Sequence, residues 1–88
     1  MDRYRVQLRC VLGAHRPVAR VRRAASEDQA WTSILTMRYA QARRWGCRER
    51  DIAVRTSRFD PGTGRYVTLP ALCLGVRGVR WESDDGEG

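Results

Sequence analysis

At 88 residues, with 42% apolar and 31% charged residues, the chain suits one domain with a small core. No apolar run approaches the roughly 18–20 residues of a membrane span, and the N-terminal stretch lacks the apolar segment of a secretory signal, so a cytosolic domain with no membrane partner is expected. All 17 basic residues are arginine, set against 10 acids for a net charge of +7. Four of those acids, Glu82, Asp84, Asp85 and Glu87, crowd the C-terminus, which leaves 6 acids and a net of +11 in residues 1–81, a field that attracts polyanions at long range.

The opening "RYRVQLRCVL" predicts a strand over residues 3–12. Tyr4, Val6, Leu8, Cys10 and Leu12 fall on one face, and Arg3, Arg5, Gln7, Arg9 and Val11 on the other. "GAHRP" supplies turn residues, and the only histidine, His15, reads as part of that turn rather than as a ligand or base. A second strand follows over residues 18–24 and closes a hairpin. If Ala19 and Val21 join Leu8 and Cys10 on the apolar face, Arg20 and Arg22 lie on the other face, and Arg9 stands opposite one of them. Guanidinium groups set against each other are destabilising by themselves, which suggests a face meant for an anion.

The next segment carries both signals of a helix end. Ser26 is a candidate N-cap, Gln29 the reciprocal half of a capping box, and Glu27 and Asp28 suit the positive end of the dipole. Arg43 and Arg44 fall in the last turn, and Gly46 suits the left-handed C-terminal position. Helical spacing gathers Ala30, Trp31, Ile34, Met37, Ala42 and Trp45 on one stripe with Leu35 at its margin. Arg38 and Gln41 interrupt that stripe, and the long stem of Arg38 is suited to packing while its head reaches the rim.

A third strand over residues 51–59 points Ile52 and Val54 inward and Ala53, Arg55 and Ser57 outward. "DPGTG" turns into a fourth strand over residues 65–69, which Pro70 ends. Residues 72–81 are a candidate last strand weakened by Gly75 and Gly78, and residues 82–88 read as a disordered acidic tail after a single domain spanning 1–81. The fold expected is α+β: a β-β-α-β-β(-β) domain with one amphipathic helix packed on one face of a mainly antiparallel sheet.

Catalytic chemistry is hard to assemble from these residues. Asp51 and Asp60 bracket the third strand about 30 Å apart. Cys10, Cys47 and Cys73 show none of the close pairs that zinc sites use. Neither "PGTG" nor "GVRG" has the lysine and following helix of a phosphate loop. No enzyme activity, metal or cofactor is therefore expected. The expectation is a small nucleic-acid-binding protein, for RNA or DNA, that grips phosphates through Arg5, Arg9, Arg20, Arg22, Arg55 and Arg58, with Phe59 and Tyr66 as candidate base-stacking groups. The alternative is an interaction module, an accessory or regulatory subunit of mobile-element or phage type. It would dock an acidic protein or form a homodimer through a C-terminal edge strand.

Overall fold

The computed structural model describes residues 1–13 and 15–81; the acidic tail lies outside the described residues. Four antiparallel strands, β1 (Asp2–Cys10), β2 (Val18–Ala24), β3 (Ile52–Asp60) and β4 (Arg65–Thr68), form one sheet in the order β2-β1-β3-β4. One helix, α1 (Glu27–Trp45), connects β2 to β3 and covers one face. The expected α+β architecture is the one observed.

Helix α1 is held at both ends by the residues that announce it. Ser26 Oγ accepts the Gln29 amide at 3.2 Å, while the Gln29 side chain reaches past Ser26 and accepts from the Ala25 amide at 2.9 Å. At the other end Gly46, at φ 69°, turns the chain so that its own amide and that of Cys47 donate to Arg43 and Ala42, a Schellman closure. Ala30, Ile34 and Ala42 are buried against Tyr4, Val6, Leu8, Ile52 and Val54, and Trp31, Met37 and Trp45 pack beside them. Leu35 sits outside this seam and is exposed. Arg38 lies part-buried, and its Nε donates to the Ile52 carbonyl at 3.2 Å, which ties the helix to the start of β3.

Strand β1 keeps the expected alternation only as far as Cys10. Beyond it, Val11 and Leu12 enter a turn, and Leu12 is 69% exposed. His15 does belong to the connection, where its ring stacks on Trp45 with centroids 5.1 Å apart and planes within 5°. Asp60 serves the β3–β4 turn. Its carboxylate accepts from the Gly62 amide at 2.9 Å and the Thr63 hydroxyl at 3.2 Å, and Gly64 takes φ 71°.

Strand β2 departs from the expectation. Its residues pair as Leu8 with Val18, Val6 with Arg20, Tyr4 with Arg22 and Asp2 with Ala24. Directly opposed residues share a face, so Val18, Arg20, Arg22 and Ala24 lie on the helix side, and Ala19, Val21 and Arg23 on the outer side. Buried Ala24 sets this parity, because the chain must climb onto the helix face within two residues to reach the Ser26 cap. Edge position makes it tolerable: two inward-directed arginines on an outer strand can still reach water. Segment 72–81 is also not a fifth strand. Leu74 makes one isolated bridge to Val54, and no further strand follows among the described residues.

The core holds two groups that work against its stability. The hydroxyls of Tyr4 and Thr56 are buried without a hydrogen-bond partner among the described residues, and each such group costs about 1–3 kcal/mol. Urea unfolding should therefore show Tyr4→Phe at least as stable as the wild type, whereas Ile34→Ala, at a fully buried position, should lose about 2–5 kcal/mol. A destabilised Tyr4→Phe would mean that the hydroxyl has a partner, and an unchanged Ile34→Ala would mean that the helix presents another face.

Candidate functional site

The outer face of the sheet is built by alternation alone. Strand β1 contributes Arg3, Arg5, Gln7 and Arg9, β2 contributes Val21 and Arg23, β3 contributes Arg55, Ser57 and Phe59, and β4 contributes Tyr66 and Thr68. Of the sequence candidates, Arg5, Arg9, Arg55, Phe59 and Tyr66 share this face. Arg20 and Arg22 do not, for the register reason given above. Arg58 does not either: it has the parity of Val54 and Thr56, and its guanidinium stands 3.8 Å from Glu27 on the helix side. The expected opposition of Arg9 to an arginine of β2 is likewise replaced. Arg9 pairs with Ala53 of β3, and the like-charge pair on this face is Arg3 with Arg23.

Aromatic rings organise two of the arginines. The Arg3 guanidinium lies 4.3 Å from the Phe59 centroid, the Arg5 guanidinium 4.5 Å from that of Tyr66, and the two rings meet edge to face at 5.4 Å. Each cation–π contact contributes about 0.5–1 kcal/mol at an exposed site and leaves the edge N–H donors of the guanidinium available. Phe59 and Tyr66 thus act here as platforms for arginine, with one face of each ring already taken. Beside them Arg55 donates to Thr68 Oγ1 at 3.2 Å. Arg5 Nε and Gln7 Oε1, on the same face, are buried without a hydrogen-bond partner among the described residues.

The C-terminal segment completes the site, and its contribution is the part that sequence reasoning missed. After the bridge at Leu74, Gly75 takes φ 61° and the chain lies against β3, where a Cβ on Gly75 would make an ordinary contact of 3.8 Å with the Ala53 Cα. Ala53 is accordingly 0% exposed although its parity points it outward. A turn closed by Val79 N–H donating to the Val76 carbonyl at 3.1 Å follows, with Gly78 at φ 73°. Val76 and Val79 are half-buried, while Arg77 and Arg80 stand exposed. Arg77 and Arg80, with Arg9, Val11, Gly75, Gly78 and Val79, line a cleft of ≈ 500 Å3 that contains three arginines and no acid. The doubled triplet "GVRGVR" was the available signal: a left-handed glycine, an inward valine and an outward arginine, twice.

Burial raises the Cys47 thiol above its usual pKa, with Cys10 and Asp51 adding to the effect, which is opposite to the activation of a nucleophile. Among the described residues no three His, Cys, Asp or Glu side chains come together as metal ligands, and no helix is long and apolar enough to cross a membrane. No protein-family model, curated protein or solved structure matches this chain. Its geometry alone must speak for its chemistry.

The Arg9–Arg77–Arg80 cleft depends on glycine at a left-handed position, where a β-branched residue is strained. Gly78→Val should speed amide exchange at Val79 and across residues 75–81 while β1 and β3 keep their protection. Unchanged exchange at Val79 would show that the turn does not hold the segment.

Proposed function

We propose that the protein binds nucleic acid, RNA or DNA, by gripping phosphates along the outer face of the sheet. The observation that carries this reading is the convergence of Arg9, Arg77 and Arg80 in an acid-free cleft beside the arginines of β1. Planar guanidiniums donate in forks that match phosphate oxygens, and a row of them follows a charged backbone without needing base contacts. Arg3 and Arg5 are steadied by their rings, so less side-chain freedom is lost when an anion arrives. Arg3 and Arg23, directly opposed in register, add positive charge at the same end of the face, which a phosphate there would neutralise. A cytosolic location, where nucleic acid is at hand, belongs to the same proposal.

Salt dependence tests it. If the face neutralises about five phosphates, log K should fall against log salt with a slope of roughly −4 to −5 on a duplex and about −3.5 on a single strand. Replacing Arg9, Arg77 and Arg80 together by Ser should weaken binding and flatten the slope by nearly one unit for each phosphate no longer neutralised, with the melting temperature held. Affinity that ignores salt between about 50 and 200 mM would remove the polyanion reading.

A further inference from the structure

A second cationic site lies on the opposite side of the sheet. Arg20 and Arg22 of β2 and Arg44 of α1 line a cleft of ≈ 420 Å3 whose other walls are Leu8, Met37, Ala40 and Gln41. No lining residue is acidic, and among the described residues none of the three arginines has a carboxylate within ion-pairing reach. Arg20 Nη1 donates to the Ala19 carbonyl at 3.1 Å and Arg22 Nη1 to the Val21 carbonyl at 2.9 Å, so both guanidiniums curl back onto their own strand.

Strand β2 is also one of the two outer strands of the sheet, seven residues long and, among the described residues, paired on one side only. An edge of that length invites any extended chain to pair with it, and inward-pointing charge is one way to prevent this. The protection is selective. A neutral strand laid along β2 would displace the two guanidiniums from their carbonyls and leave them crowded and unpaired, and a basic strand would add repulsion. A strand with carboxylates at alternate positions would instead place its acids on the helix side, next to Arg20 and Arg22. Arg44 and the apolar floor of Leu8 and Met37 strengthen such bonds by excluding part of the water.

We propose that β2 is a docking edge for an extended acidic segment of a partner protein, which adds to the sheet as a further strand and directs alternate Asp or Glu side chains at Arg20, Arg22 and Arg44. This site does not rest on nucleic-acid binding. It occupies the opposite face from Arg9, Arg77 and Arg80, and the two can be broken separately.

The probe is a fluorescent peptide alternating glutamate and threonine, titrated against the full chain by anisotropy, beside a peptide of the same composition with its glutamates consecutive. The alternating peptide should bind more tightly and should slow exchange at amides of β2 that are open without it. Arg20→Ser and Arg22→Ser should each weaken it about five- to tenfold, and Arg9→Ser and Arg77→Ser should leave it unchanged. Should the β2 variants melt early, Arg44→Ser on the exposed helix surface provides the same reading and is expected to weaken the peptide as well.

Equal binding of both peptides would overturn the proposal, since net charge alone would then suffice. So would binding that appears only after Glu82, Asp84, Asp85 and Glu87 are neutralised in the full chain, because the edge would then belong to the protein's own tail. A duplex that loses as much affinity as the peptide in the Arg20→Ser variant would assign the cleft to nucleic acid and likewise refute a protein partner.

Discussion

The pairing of Leu8 with Val18 and of Asp2 with Ala24 decides where every charge on the first hairpin goes. Side chains alternate strictly along a strand, so a shift of one residue in β2 would exchange Arg20 and Arg22 for Ala19 and Val21 across the sheet. Ala24 fixes the parity because it is buried at the point where the chain turns toward the Ser26 cap, and Gln29 pins that connection through the Ala25 amide. A helix cap thereby sets the register of a strand, and the register divides the arginines of the hairpin between two faces. Arg3, Arg5, Arg9 and Arg23 go to the outer face, and Arg20 and Arg22 to the helix side.

This division explains why some of the molecule is legible in its sequence and some is not. Helix α1 could be read nearly to the residue, since its capping serine, first-turn acids, last-turn arginines and terminal glycine all act locally. Strand β1 was also legible, because as an inner strand it buries one row of side chains and its alternation has to agree with that burial, and β3 keeps the expected parity although Ala53 and Ser57 of its outer row are covered as well. In β2 the rule loses its force. An edge strand only partly covered by the helix can turn either row inward, and "VARVRR" offers apolar residues of both parities. Arg58 was misplaced for a simpler reason, since its own parity had already assigned it to the helix side. The last segment was only partly legible: its doubled triplet marks the two left-handed glycines, but its path also depends on a long-range bridge to Val54, which leaves no local trace.

The two faces differ in how their arginines are held, and this difference supports different partners. On the outer face, aromatic rings fix the Arg3 and Arg5 guanidiniums, and the glycine turn brings Arg77 and Arg80 to Arg9 in a cleft lined by no acid, giving a broad cationic surface. Such a surface suits a polymer whose charge is continuous, as a phosphate backbone is. On the helix side, Arg20 and Arg22 fold back on a free edge above an apolar floor, and their spacing is that of alternate residues in a strand. That geometry suits discrete carboxylates on an extended chain. A small basic domain built in this way would keep the proposed nucleic-acid face and the proposed protein edge apart although both are built from arginine.

The separation of the two faces is the central claim, and mapping by NMR tests it most directly. Titrating the isotopically labelled full chain with a short oligonucleotide should move the arginine side-chain resonances of Arg3, Arg5, Arg9, Arg77 and Arg80 while those of Arg20, Arg22 and Arg44 stay in place. Shifts concentrated at Arg20, Arg22 and Arg44, with the outer face silent, would contradict the account.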